Sequence, residues 1–451
     1  MKNRLIVFLA GIMLLLCSAQ GQDFDKYFED ATLRVDYVFA GDTGRTDIYL
    51  AKMYRQALWA GRRGRLDEAP LAGNGALTMR RHGSKEVIYM STFSTLYQEW
   101  LMDDEAKEVK RAFDCSYNVP MPKEKADITI TLYDKWRKVT AEMTHTVDPD
   151  DILIEPLTHE GTAFQYVLKG ECTTPIVPKA KRSTEKVASG KGRDYTQVEI
   201  SPFEDVDIAH NVDLAIVAEG YRREDMGKFY ADCRRAVDVL FAREPFRSLK
   251  NRFNVVAVAA ESKHCGVSVP HLRDWRKGTT GTHYDTFRID RYLMTQEMHR
   301  VYDLLAGIPF EHIMVLVNTA TYGGGGIYNQ VTTSSSDHPN FTEVFVHEFG
   351  HSYAGLGDEY AYDDMDTEWY PAGIEPWEPN LTTKKDMKAK WQDMIDEGVP
   401  GVGLYEGAGY QSHGCWRPSE DCRMRTNASP DFCPVCDRAI RRITDFYTAD
   451  R

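Results

Sequence analysis

Val344-Phe-Val-His-Glu-Phe-Gly-His-Ser-Tyr-Ala-Gly-Leu-Gly-Asp-Glu-Tyr360 places two histidines and a glutamate at helical spacing. In His347-Glu348-x-x-His351 the positions i and i+4 share one helix face, so both imidazoles can meet one metal ion. Glu348, one step round, can reach a water on that ion. Two histidine ligands, a carboxylate base and an open coordination position are the parts of a zinc hydrolase site. Val344, Phe345 and Val346 supply the apolar lead-in of a buried helix. Gly355 can stop that helix, because glycine tolerates positive φ. A turn there would bring Asp358 back toward the metal as a third ligand.

Upstream of this stretch, strands alternate with helices from Gln197 onward. Val212–Ala218, Phe253–Ala259 and His312–Asn318 are apolar runs, the last of them reading as a strand buried on both faces. Glu224–Phe241 has helical periodicity, with Met226, Phe229, Tyr230, Cys233, Ala236, Val237 and Leu240 on one side. Tyr292–Ala306 reads as a further helix. Gly323–Gly326 reads as a flexible loop. No Gly-Lys-Ser/Thr follows it, which excludes a phosphate loop. Ile327–Thr333 alternates as a short strand just before the zinc-type helix, where it can pair with an extended peptide. Ile327, Tyr328, Asn329 and Gln330 are therefore the candidate substrate-binding residues.

Downstream, residues 361–400 are acidic and rich in Trp and Pro, with a helical pattern over Leu381–Glu397. Asp363, Asp364, Asp366 and Glu368 are candidate Ca²⁺ ligands, although their spacing fits a solvated acidic turn better. The last stretch holds Cys415-x₆-Cys422-x₁₀-Cys433-x₂-Cys436. Disulfides are the favoured reading; a structural Cys₄ zinc site, suggested by the Cys-Pro-Val-Cys step, is the alternative.

The start of the chain favours an oxidising compartment. Residues 1–21 read as a signal peptide: Lys2 and Arg4 are followed by an apolar run from Leu5 to Leu16, too short to span a membrane comfortably, with cleavage expected after Ala19 or Gly21. Lipid anchoring on Cys17 is disfavoured by the bulk of Leu16. The expected location is secreted, periplasmic or cell-surface, with no membrane span. Apart from Cys17, eight of the nine cysteines remain, an even number. Net charge is −13, and −15 without Lys2 and Arg4, which argues against nucleic acid or anionic lipid as the main partner.

Residues 22–173 carry β-branched and aromatic segments at Thr32–Phe39, Glu86–Met90, Ala126–Tyr133 and Ala163–Leu168, and read as an all-β sandwich domain. Residues 174–196, rich in Lys, Ser, Gly and Pro, read as a linker. Residues 197–451 form the second domain.

Several pieces of that second domain together resemble peptidase family M64, secreted bacterial zinc peptidases that include an immunoglobulin-A-cleaving enzyme. They are Val212-Asp-Leu-Ala-Ile-Val-Ala-Glu-Gly-Tyr221, Glu244-Pro-Phe246, Arg252-Phe-Asn-Val255, Gly266-Val-Ser-Val-Pro270, Asp285-Thr-Phe287 and Val346-His-Glu-Phe-Gly-His-Ser352 through Asp358-Glu-Tyr360. The resemblance spans roughly residues 200–445. It implies an α+β, zincin-like catalytic domain preceded by a β-rich one, with the cleft between two subdomains. It also implies similarity to metzincins, whose HExxHxxGxxH pattern has its glycine one residue earlier than Gly355. Counting three residues on from Gly355, as metzincins do, makes Asp358 the third ligand and Glu359 its neighbour outside the ligand set; the extra residue keeps Glu359 as the alternative ligand. Cys422-Arg-Met424-Arg resembles the methionine turn beneath the metal.

The function expected is an exported zinc endopeptidase acting on proteins or peptides, with one catalytic Zn²⁺ on His347, His351 and Asp358 and with Glu348 as general base. His264, His271 and His283 are candidates to steady the oxyanion, with packing or surface roles as the ordinary reading. Two rivals remain: a secreted adhesin that uses the fold as a scaffold, and a zinc amidase acting on a non-peptide substrate. An intact Glu348 argues against the scaffold.

Overall fold

Apolar alternation builds the first half. A turn of helix, α1 (Phe24–Tyr27), leads into β1 (Phe28–Asp42), whose Leu33, Val35, Tyr37 and Phe39 are all fully buried. That period of two is the mark of a strand with a covered face. In the computed structural model, which describes residues 24–158, 162–168, 180–182, 196–198, 206–363, 368–386 and 390–448, β1 lies antiparallel between β2 (Arg45–Gln56) and β5 (Arg111–Pro122). A second sheet places β3 (Gly75–Arg81) between β4 (Val87–Phe93) and β6 (Ala126–Tyr133), with β7 (Val139–Val147) beyond β6. The two sheets share one core: Phe39 stacks on Phe93 at 6.4 Å, and Phe93 meets Tyr117 at 4.3 Å. The expected signal peptide lies outside the described residues, as does most of the expected linker, which holds a ribbon of strands β10 (Ala180–Arg182) and β11 (Thr196–Val198).

The other face of β1 is buried too, against the second half. Arg34 grips Asp36 with two bonds of 2.8 Å, and reaches Asp303 at 2.6 Å and the His299 carbonyl at 2.9 Å. Every one of these bonds compensates desolvation of the guanidinium. They tie the β-rich half to α5 (Met298–Leu304).

The second half is organised by a six-stranded sheet in the order β15 (Gly324–Ile327), β16 (Val331–Ser335), β14 (His312–Val317), β12 (Val212–Glu219), β13 (Phe253–Ala259) and β9 (Ala163–Leu168). Strands β12, β13, β14 and β16 run parallel. All four are buried on both faces, which explains the largely apolar runs of β12, β13 and β14; β16, equally buried, is Val-Thr-Thr-Ser-Ser. Ala215 and Val217 face the core of the first half. Leu214, Ile216 and Ala218 face a layer of helices that includes α3 (Met226–Leu240), α6 (Phe341–Ala354) and α8 (Pro434–Thr448).

Three sequence expectations need correction. Strand β9 (Ala163–Leu168), expected in the first domain, pairs antiparallel with β13 and closes that edge of the second sheet. The helix expected over Tyr292–Ala306 is confined to Met298–Leu304, because Leu293 and Met294 are bonded to Gly324 and His283 instead. The helix expected over Leu381–Glu397 is reduced, among the described residues, to α7 (Gln392–Asp396). No helix among the described residues is long and apolar enough to cross a membrane.

Candidate active site

Helix α6 presents two faces. Phe341, Phe345, Phe349 and Tyr353 pack into the helical layer, while His347, Glu348 and His351 line a cleft of ≈ 1360 Å³ between the two halves of the chain. The helix ends at Gly355, with φ +58°. The Leu356 N–H then returns to the Gly350 carbonyl at 3.2 Å, and the Gly355 N–H to that of His351 at 3.0 Å. This is the left-handed stop that glycine makes cheaply. The reversal carries Asp358 back under the helix.

Three polar atoms converge there. His347 Nε2 and His351 Nε2 are 3.0 Å apart, and Asp358 Oδ1 lies 3.1 Å and 3.3 Å from them. Each imidazole has its other nitrogen, Nδ1, on a backbone carbonyl: His347 on Arg423, and His351 on Leu356. Those bonds fix the tautomers, so both Nε2 atoms aim a lone pair at a carboxylate oxygen that no hydrogen bond satisfies. Three acceptors packed this closely repel one another unless a cation lies among them. Their spacing is that of the edges of a tetrahedral site with bonds of ~2.0–2.1 Å. The donor set fits a divalent metal.

The electrostatics agree. Burial pushes Asp358 up, but His351 and His347 outweigh it and hold the carboxyl well below the usual range. Burial pulls His351 down, yet Asp358 and Glu348 drive it up to about 10. Glu348 is raised by burial, with the imidazoles partly opposing. Tyr410, with φ +66°, donates its hydroxyl to Asp358 Oδ2 and fixes that carboxylate.

The glycine run gives the cleft its floor. Gly324–Ile327 is not a loop but the edge strand β15, antiparallel to β16. A Cβ on Gly324 would lie 2.9 Å from Glu348 Cγ, and one on Gly326 only 2.3 Å from the Glu348 carbonyl oxygen. The glycines therefore let α6 lie directly on the sheet edge. By strand alternation Gly324 and Gly326 turn their peptide groups away from β16. Arg291 and Leu293 engage those of Gly324, and Gly326 lines the cleft.

The profile described as IgA Peptidase M64 matches residues 200–401 and 400–444, and Peptidase M64 N-terminus matches residues 23–144. The chain belongs to peptidase family M64. Membership makes it a peptidase of a metallopeptidase family, in which a metal cofactor and protein or peptide substrates are expected. A search of curated proteins found no relative.

Within this M64 chain the structure brings His347, Glu348, His351 and Asp358 together. Glu359 points elsewhere, with its Oε1 on Asn380 and Cys436. Met424 is fully buried beneath α6, its sulfur 2.9 Å from where a Cβ on Gly350 would sit. Of the candidate substrate residues, Ile327 and Tyr328 line the cleft, but Asn329 and Gln330 do not. They form the β15–β16 turn and dock on the first half, Asn329 on the Thr92 carbonyl at 2.8 Å and Gln330 on Cys115. His264, His271 and His283 lie outside the cleft. They are engaged locally, with the Lys277 N–H, Asp285 and the Tyr284 carbonyl respectively. Of the candidate calcium ligands, Asp364 and Asp366 fall outside the described residues; Asp363 is exposed, and Glu368 accepts from the Ala372 N–H at 3.3 Å.

Sequence reasoning missed Tyr410, which lies 52 residues from Asp358, and the pair formed by Tyr292 and Glu99. The Tyr292 hydroxyl donates to Glu99, a residue of the β-rich half that lines the same cleft and is pushed up to about 7, chiefly by burial. No spacing rule flags contacts this far apart in sequence. The favoured disulfides also find no support: among the described residues the cysteines are unpaired. Cys422 and Cys436 bring their sulfurs to 3.8 Å, nearly twice a disulfide's ~2.05 Å.

Proposed function

We propose that this chain is an exported zinc endopeptidase that hydrolyses extended peptides docked on the outward peptide group of Gly326 in the β15 edge. The observation that carries the reading is the convergence of His347, His351 and Asp358 beside a half-buried Glu348 on the floor of an open cleft. His347 Nε2, His351 Nε2 and Asp358 Oδ1 would hold the ion. Bound there, Zn²⁺ supplies Lewis-acid polarisation of the scissile carbonyl and lowers the pKa of water toward ~7.

The chain's own groups do the rest. Glu348 takes the proton of the attacking water and returns it to the departing amine, a role that its raised affinity for a proton favours. The outward peptide group of Gly326 offers main-chain bonds to a substrate strand, which positions the scissile bond without selecting its sequence. Tyr410 keeps Asp358 oriented. The β-rich half forms the opposite wall of the cleft through residues such as Glu99 and Trp136. Export rests on the signal-like residues 1–21, with cleavage after Ala19 or Gly21.

Glu348→Gln tests the mechanism. It should abolish hydrolysis of a peptide library while leaving metal content unchanged. Retained activity would overturn the role of Glu348, and with it the reading.

A further inference from the structure

Behind the candidate active site lies a second convergence of donors that the hydrolytic reading does not use. Glu359, Cys422, Cys433 and Cys436 come from three separate segments, and one ligand atom from each lies within 4.8 Å of all the others. All four residues are buried. The Cys422 and Cys436 sulfurs are 3.8 Å apart, the edge of a tetrahedron with Zn–S bonds of ~2.3 Å. Glu359 Oε1 is 3.1 Å from the Cys436 sulfur, while its Oε2 is buried with no hydrogen-bond partner. An unsatisfied buried carboxylate oxygen is costly unless something of opposite charge sits beside it.

The surroundings suit thiolates. The backbone N–H groups of Cys433 and Met424 both point at the Cys422 sulfur, at 3.2 Å and 3.5 Å. Cys433-Pro-Val-Cys436 opens helix α8, with Pro434 at its first position. That spacing lets two sulfurs grip one ion from a single turn. A disulfide would use only two of the three thiols and leave the third against the Glu359 carboxyl. The cysteine quartet of the sequence does not form: Cys415 lies apart, buried with Leu381 and Ala408, and Glu359 takes its place.

We propose that Glu359, Cys422, Cys433 and Cys436 bind a second, structural Zn²⁺. Its ligands are chain neighbours of the catalytic groups. Glu359 adjoins Asp358, and its N–H bonds the Met424 carbonyl at 2.8 Å. Cys422 adjoins Arg423, whose carbonyl orients His347 at 3.0 Å. The ion thus ties together the two loops that present Asp358 and orient His347, and the knot is closed on all four sides by protein ligands, as structural sites are.

The test uses the full-length mature protein, purified with zinc present. Elemental analysis compares wild type with the His347→Ala/His351→Ala double variant and with Cys436→Ser. The expected result is two zinc ions per wild-type chain, and one in each variant. Because Cys436→Ser can fail to fold, the double variant is also loaded with Co²⁺, which should give thiolate-to-cobalt charge-transfer absorption. A double variant that holds no metal and shows no such absorption overturns the proposal, whether its thiols prove free or peptide mapping without reductant finds a Cys422–Cys436 disulfide. The readout comes from a protein lacking the histidine site, so its failure is distinct from failure of the peptidase reading.

Discussion

Asp358 and Glu359 are consecutive, yet their carboxylates serve different clusters. Asp358 Oδ1 lies 3.1 Å from His347 Nε2, whereas Glu359 Oε1 lies 3.1 Å from the Cys436 sulfur. After the Gly355 stop the chain leaves the helix and aims Asp358 at the histidines, while Glu359 turns to Asn380 and Cys436. That geometry separates the two candidates for the third ligand. Asp358→Ala should lose the metal held by the histidines and reduce peptide hydrolysis to background, while Glu359→Gln should retain that metal. Zinc titration of the two purified variants checks it; loss of the histidine-bound ion in Glu359→Gln with retention in Asp358→Ala would reverse the assignment.

Tyr410 is joined to the candidate metal site through Asp358. Its hydroxyl donates to Oδ2, leaving Oδ1 to face the imidazoles, and its ring stacks on Tyr362 at 6.3 Å. Tyr410→Phe keeps the ring packing and removes only the bond. Partners that orient a ligand in this way are each worth about 10–100-fold in metal affinity or activity. A chelator-competition measurement should therefore show weaker zinc binding by that factor, with an unchanged melting temperature for the metal-free protein.

Much of this arrangement was legible from residue types alone. Helix α6 announces itself by period, and Gly355 by the need for positive φ. Strands β12, β13 and β14 announce themselves by apolar runs that suit burial on both faces, whereas β16, Val-Thr-Thr-Ser-Ser, does not. What escaped is what tertiary contact decides. Gly324–Gly326 carries no hydropathy pattern, so its strand is set by β16 on one side and by the close approach of α6 on the other. Tyr292 sits in a helix-like stretch, but its neighbours are bonded to Gly324 and His283. Cys415, counted as a fourth ligand despite its wide spacing from Cys422, lies elsewhere, while Glu359, invisible to a cysteine count, stands beside the other three. Glu99 belongs to a β-rich half with no catalytic spacing, and reaches the cleft because the two halves pack on one another, through Arg34, the β15–β16 turn and a shared core.

Gly326 is the position where the cleft tolerates least. A Cβ there would lie 2.3 Å from the Glu348 carbonyl oxygen and 2.9 Å from His351 Cβ, and neither the helix backbone nor a metal-ligand stem can step aside. Gly326→Ala should cost about 1–3 kcal/mol of stability, the usual scale of overpacking, and should depress hydrolysis further by shifting Glu348 and His351. Gly227, exposed in α3 with nothing within 4 Å of where a Cβ would sit, is the control. Gly227→Ala should be neutral or stabilise by up to about 1 kcal/mol, since alanine is the better helix former. Thermal melts of the two variants decide between a close-approach glycine and a merely flexible one.

His312 makes a clean pH probe because it lies away from both metal-type clusters. It is buried in β14 against Tyr353 and Tyr447, and its Nε2 has no partner. Burial alone pulls its pKa from 6.5 down to about 3, so the folded protein keeps it neutral where the unfolded chain takes up a proton. The folded state binds fewer protons between those two values, and stability therefore falls as pH drops. The contribution is intact above pH 6.5 and is lost progressively toward pH 3, by up to about 5 kcal/mol at the bottom of the window. His312→Gln places a neutral side chain there that cannot titrate. Its stability at pH 8 should fall with the lost ring contacts, but between pH 6.5 and pH 4 its slope should be shallower than that of wild type. Urea midpoints measured across that range for both proteins test this; equal slopes would mean that His312 is protonated in the folded chain or has found a partner when it is.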